Sequence, residues 1–227
     1  LYLLRLLAER PVQAARLAVA RNGGQARVPV RGIDAGRAHG QGSDALDALR
    51  DWASEQGLGE LAAQCDLAAA ESPAGGWIGL AGPTGEANLY TVRARGHVLG
   101  LAAPGAAGDA DRLAQLAAAL AVGAQLVWPA DAQPLAERLP ADVREHVTLV
   151  HDWTRPATPV DVAVHHGDAA ALLRVAAMLA ARPGPLVGLV GLASGDPRVP
   201  LERLVCERAL SVNTAAAGGN ASLMTIG

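Results

Sequence analysis

Three groups of residues in this chain have side chains capable of chemistry. The HHGD turn carries His165, His166 and Asp168, types that bind metal ions. Adjacent histidines at a strand end point to opposite faces, and no second ligand cluster accompanies them. Asp168 is also placed to cap the helix that follows, so the spacing argues against a metal site. His151, Asp152 and Ser194 supply the types of a hydrolytic triad, but no G-x-S-x-G elbow is present to hold a nucleophile in a strained turn. Cys65 in LAAQCDL and Cys206 in LVCERAL sit among apolar neighbours, where a free cysteine acts as a small packed residue, and no basic partner is placed to activate either. The expectation is no catalytic, cofactor-binding or metal-binding residue in this segment.

Phosphate binding needs glycines that let backbone amides approach an anion at a helix start. The turn LAAPGAAGDAD offers Gly105 and Gly108, then puts Asp109 and Asp111 where a phosphate would meet its donors. Like charge there opposes an anion. GLAGPTGEANLY, residues 79–90, lacks the Gly-Lys-Ser/Thr end of a phosphate loop and reads as a turn-rich connection.

The elements around these residues alternate. LYLLRLLAERP and VQAARLAVARN form an amphipathic helix to about residue 21, interrupted at Pro11 and read as cut from a longer polypeptide; residues 22–44 are a Gly- and Arg-rich linker. From Ser43 or Asp44 a helix returns, and GELAAQCDLAAAE gives a second that ends before Pro73. LYTV and HVLGLAA read as strands. GDADRLAQLAAALAVG is a helix with Asp109 at its N-cap and Gly123 as terminator, followed by the strand AQLVWP. DAQPLAERLP is a short helix, VTLVHD and VDVAVHHG are strands, and GDAAALLRVAAMLAARPG is a helix capped by Asp168 and stopped by Pro183. PLVGLVGLA and LERLVCERALSVN complete the strands. Short apolar strands alternating with amphipathic helices predict an α/β fold, a Rossmann-like parallel sheet with helices on both faces and an extended C-terminal tail.

Composition bounds the function. The 227 residues carry a net charge of −3, which gives no general attraction to nucleic acid. All 19 basic residues are arginine and phenylalanine is absent, so the core must be built from Leu, Val and Ala. Two distant cysteines suit a reducing cytoplasm, and no stretch reads as a signal peptide or a membrane span.

Specific stretches resemble one family. LERLVCERALSVNTAAAGGNASLMTIG, residues 201–227, resembles the C-terminal end of the long forms of bacterial proline utilization A, and GPTGEANLYTV, LAAALAVGAQLVWPAD and the HHGD turn resemble internal segments of the same region. LYLLRLLAERP resembles the helix just after the last glycine-rich motif of that family's aldehyde dehydrogenase module. The resemblance implies a parent that oxidises L-proline to Δ1-pyrroline-5-carboxylate at an FAD site, then oxidises the hydrolysed semialdehyde to L-glutamate with NAD. Both active sites would lie upstream of Leu1. This segment would be a non-catalytic domain of the aldehyde dehydrogenase nucleotide-binding type without its fingerprint, binding neither FAD nor NAD itself. Its partners would be the upstream aldehyde dehydrogenase and proline dehydrogenase modules, with a homodimer allowed and no nucleic acid contact. The location implied is cytoplasmic, with the parent allowed a peripheral seat at the inner membrane.

The same resemblance assigns the tail a role as cover over the tunnel that carries the intermediate between sites. The residues matched are Ser211, Val212, Asn213, Thr214, Ala215, Ala216, Ala217, Gly218, Gly219, Asn220, Ala221, Ser222, Leu223, Met224, Thr225, Ile226 and Gly227. Their chemistry agrees: the small residues permit close backbone approach, Leu223, Met224 and Ile226 are apolar anchors, and 211–214 alternate as a strand suited to an exposed edge. The domain reading is therefore 1–44 as trailing helix and linker, 45–205 as the Rossmann-like domain, and 206–227 as last strand and covering tail. Two other readings compete: a nucleotide-binding regulatory α/β module, and a free-standing α/β hydrolase.

Overall fold

The computed structural model describes residues 40–75, 77–80 and 86–213. The expected helix before residue 21, most of the linker, and the tail from Thr214 to Gly227 lie outside the described residues. Contacts divide the chain into two compact units.

The larger unit, residues 36–74 and 94–206, holds the parallel sheet. Helix α1 (Gly40–Glu55) turns into α2 (Gly59–Glu71) through Gly57, whose φ of 72° is the left-handed conformation that glycine adopts without a Cβ clash. α1 starts within the stretch read as linker, because its buried Ala45, Leu46 and Leu49 hold the preceding turn in helical register. Strand β3 (His97–Leu101) leads through a 3₁₀ turn (Gly105–Gly108) into α3 (Asp109–Val122) and β4 (Gln125–Pro129). Short helices α4 (Gln133–Ala136) and α5 (Ala141–Arg144) precede β5 (Val147–Val150). β6 (Val162–His166), α6 (Ala169–Ala180) and β7 (Gly188–Leu192) complete the sheet.

The strand order is β5-β4-β3-β6-β7, all pairs parallel. The chain moves one way from β3 and the other way from β6, so right-handed crossovers place α3 and α6 on opposite faces. Leu99, Leu101, Val127 and Ala163 pack against Val175 and Leu179 of α6. On the other face α3 is sandwiched between the sheet and α1 and α2, and eleven of its fourteen residues are buried. Ser72 Oγ donates to the carbonyl of Ala121 at 2.6 Å, which joins the end of α2 to the last turn of α3.

Two of the expected helix signals hold. Gly123 ends α3 with φ 77° and ψ 32°. Asp168 Oδ1 accepts from the amide of Ala171 at 2.7 Å and caps α6. A third is corrected: Gly108, not Asp109, is the N-cap of α3. The 3₁₀ turn delivers the chain so tightly that a Cβ at Gly108 would strike the carbonyl of Ala103, and Asp109 becomes the first helical residue.

The second unit, residues 75–93 with 207–213 of those described, is a separate three-stranded sheet of order β1-β2-β8. β1 (Trp77–Leu80) runs antiparallel to β2 (Glu86–Ala94), with Ile78 opposite Tyr90 and Leu80 opposite Asn88. β8 (Val205–Asn213) lies on the other side of β2. From sequence, residues 77–93 fall within the domain of 45–205 and 79–90 are turn-rich; the four residues of β1 are too few to show a period of two. The phenol of Tyr90 is pushed up to about 12 by burial and by the Glu207 carboxylate of β8.

Gly100 offers the sharpest test of packing in the parallel sheet. A Cβ there would meet the side-chain oxygen of Gln115 and come within 2.8 Å of Trp128 Nε1. Gly100→Ala is therefore expected to lower the unfolding free energy of the α/β unit by about 1–3 kcal/mol in denaturant titration; an unchanged midpoint would mean that the two side chains have room to move.

Candidate functional site

In an open parallel sheet, ligands bind beyond the carboxyl ends of the strands, in the crevice where the chain reverses direction. Here that point lies between β3 and β6, where Gln115 of α3 meets His166 at the end of β6. Asp111, Arg112 and Gln115 of α3 and His166 of β6 are all buried.

Gln115, on α3, is wholly buried. Its Nε2 donates to the carbonyl of Leu101 at 2.9 Å and lies 2.8 Å from His166 Nδ1. Both hydrogens of the amide are then used, so Nδ1 of His166 accepts. The other nitrogen, Nε2, donates to the carbonyl of Asp196 at 2.9 Å. This tautomer leaves His166 no free nitrogen for a metal. Gln115 Oε1 and the indole Nε1 of Trp128, both buried, converge over the bare Cα of Gly100.

Asp111, one turn earlier on α3, accepts from the amide of Gly195 at 2.7 Å. Gly195 and Asp196 belong to the loop after β7, so two hydrogen bonds hold that loop over the crevice. At the very start of α3, Arg112 donates to the carbonyl of Gly105 at 2.8 Å and to Asp131 at 2.6 Å. Asp109 lies 3.3 Å from Arg138 and 3.7 Å from Arg112. Asp109 and Asp111 thus stand where a pyrophosphate would seek amide donors. Leaving one of these buried, hydrogen-bonded groups unpaired would cost about 1–3 kcal/mol.

The remaining candidates are separated. His165 points to the α6 face, opposite His166, and is packed so closely that a Cβ on Gly167 would touch its ring. Burial, and then the neighbouring His166, hold its pKa below the ordinary 6.5. Asp152 accepts from the amide and hydroxyl of Thr154 at 2.9 and 2.5 Å, which lowers its pKa, while His151 and Ser194 are exposed. Cys65 is buried on α2, its thiol pushed up to about 12 by desolvation and then by Asp66, and so is a poor nucleophile. Cys206 is half-buried. Among the described residues no three His, Cys, Asp or Glu side chains form a metal cluster, and no helix is long and apolar enough to cross a membrane. A shallow groove between α2 and α3, lined by Leu67, Ala68, Ala118 and Val199, is mostly apolar. Of the tail, Ser211, Val212 and Asn213 are the last residues of β8.

Asp111 and Gln115 were not singled out as a network by sequence. The available signal was their polarity on a helix whose other residues, Leu113, Leu116 and Leu120, are core.

The sheet order and the internally filled crevice define a Rossmann-like α/β domain. No protein-family model matches the sequence. Over its whole length the chain is 44% identical to the bifunctional protein PutA of Escherichia coli (strain K12) and 45% identical to that of Salmonella typhimurium. It is 42% identical to the Rhizobium meliloti protein over 155 residues, 65% of the chain and 12% of that protein. The chain belongs to the proline utilization A family as a segment of it, and spans 16% of the length of the first two relatives. A solved structure of proline utilization A with proline bound in remote sites shares the fold, with TM-score 0.52 and 21% identity over 69% of this chain and 20% of that one.

Two expectations follow from the crevice. Asp111→Ala leaves the Gly195 amide without its acceptor and should cost about 1–3 kcal/mol, with faster amide exchange at Gly195 as the local readout; unaltered exchange would show that the loop is held by other contacts. The second concerns pH. Because the folded pKa of His165 is depressed, the unfolded chain binds this proton more readily. The stability it contributes is complete above the ordinary value and is lost as pH falls below 6.5 through the folded value. Replacing His165 with Gln should flatten the decline of the denaturant midpoint between about pH 7 and 5; an equal slope in both proteins would place the acid sensitivity elsewhere.

Proposed function

We propose that this chain is a structural domain of a proline-catabolising enzyme. It supports the aldehyde dehydrogenase module and, through its C-terminal tail, closes the route by which the semialdehyde intermediate passes between two active sites. The parent would oxidise L-proline to L-glutamate through Δ1-pyrroline-5-carboxylate, with FAD at the first site and NAD at the second, both outside this segment.

The observation that carries the non-catalytic part is the crevice. At the place where this fold binds ligands, Asp111, Gln115 and His166 are committed to backbone and side-chain partners within the domain. The family membership supports the metabolic part. The tail from Ser211 to Gly227 has no charged side chain, and its small residues permit close backbone approach to a neighbouring surface. A neutral wall also suits an intermediate that is small, reactive and zwitterionic, since no fixed charge would hold it in place.

The test is deletion of Thr214 to Gly227 in the full polypeptide, which spares β8. NADH formation is followed from proline and, separately, from added semialdehyde. A lag in the proline-driven reaction, or release of free intermediate, with an unchanged flavin step is the expected result. No lag and no release would remove the covering role, and saturable binding of NAD at the β3–β6 crevice would favour the regulatory nucleotide module instead.

A further inference from the structure

The bonds that join α3, β6 and the loop after β7 accept one protonation state of His166. Its Nε2 donates to the carbonyl of Asp196 at 2.9 Å, and its Nδ1 takes a hydrogen from the Gln115 amide at 2.8 Å. A proton added to the ring goes to Nδ1, against the hydrogens of Gln115 Nε2. The amide can answer only by turning over. Its oxygen would then stand where Nε2 now lies, 2.9 Å from the carbonyl of Leu101, and its hydrogens would turn to the side of the Trp128 indole, which is a donor only. In either orientation a protonated ring sets like groups against each other.

The charged groups nearby are engaged elsewhere. Asp111 of α3 holds the amide of Gly195 at 2.7 Å, the Asp196 carboxylate holds the amide of Arg198 at 3.0 Å, and Asp168 caps α6. Arg112 is bound to Asp131 and to the carbonyl of Gly105. His165, and α6 with Arg174, lie on the other face of the sheet. An imidazolium at position 166 would be buried without a bonded counter-ion. The nearest relief is water, since Ser194 and Gly195 in the loop beside it are exposed. To hydrate Nδ1 the ring must leave its place, and its bond to Asp196 breaks as it goes. Gly195 then hangs on Asp111 alone.

We propose that His166 is an acid-sensitive catch on the loop of residues 193–196. Neutral, the ring holds that loop across the carboxyl end of the parallel sheet; protonated from solvent at Nδ1, it swings out and releases the loop while the sheet stays folded. The catch is independent of the metabolic reading and of the role of the tail.

The experiment follows hydrogen exchange by mass spectrometry in the full polypeptide between about pH 7.5 and 5.5, around the ordinary histidine value, with labelling times scaled to the intrinsic rate at each pH. Protection in the peptide spanning 193–198 should fall by about tenfold per pH unit once the ring titrates, the slope of one proton, while the peptide spanning β4 keeps its protection. His166→Asn, which cannot titrate, should show low loop protection already at the higher pH and no further fall. His165→Gln should keep the slope, and so should Asp111→Asn, which retains an acceptor for Gly195 without a titrating carboxylate. A level profile in the unsubstituted protein, a parallel loss in β4, or a slope that vanishes in Asp111→Asn or His165→Gln would each overturn the proposal, and these readings stand even if His166→Asn fails to fold. An undiminished slope in a folded His166→Asn would overturn it as well.

Discussion

The α/β unit depends on one buried carboxamide. Gln115 ties α3 to β3 through the carbonyl of Leu101 and to β6 through His166, and His166 carries the linkage on to the carbonyl of Asp196. The orientation of the amide is set by donor count: turned over, its oxygen would face the oxygen of Leu101. With it fixed, His166 takes one tautomer and the loop after β7 one position. Gln115 Oε1 has no hydrogen-bond partner among the described residues, a cost set against the bonds that Nε2 makes. The same bonds that make the crevice stable fill it.

Much of this fold is legible in the sequence because its signals are local. AQLVWP, VTLVHD and PLVGLVGLA are short apolar runs bounded by turn residues, and each contains a strand of the sheet. Gly123 and Asp168 act through bonds to residues within a turn of themselves, so spacing alone locates them. Asp109 misled because its role depends on Gly108 and the clash that Ala103 would make with any side chain there, which sequence spacing does not encode. The network is illegible for a stronger reason. Gln115 and His166 lie 51 residues apart and Asp111 and Gly195 lie 84 apart, so only the completed sheet brings them together.

The separate small sheet shows a different limit. β2 and β8 are both nine residues long and their alternation is visible in LYTV and ALSVN, yet nothing local says that they pair with each other rather than with the parallel strands. Edge pairing is decided by which backbone groups remain free once the larger sheet has closed. β5 and β7 are the edges of that sheet, and the two long strands find each other instead.

A parallel sheet requires cover on both faces, and this chain supplies it unequally. One face receives α3 and, over it, α1 and α2; the other receives α6 with Trp153 and Val160 of the β5–β6 crossover. Arg182, just past α6, donates to the carbonyls of Trp153 and Thr158 at 2.6 and 2.8 Å, so the helix and that crossover are held as one layer. The layer buries the sheet but presents Leu173 and Met178 outward. Charge lies outward on the other helical layer, where Arg50 pairs with Asp47 and Asp51 along α1. The two faces of one sheet are thus covered to different depths by helices of nearly the same composition.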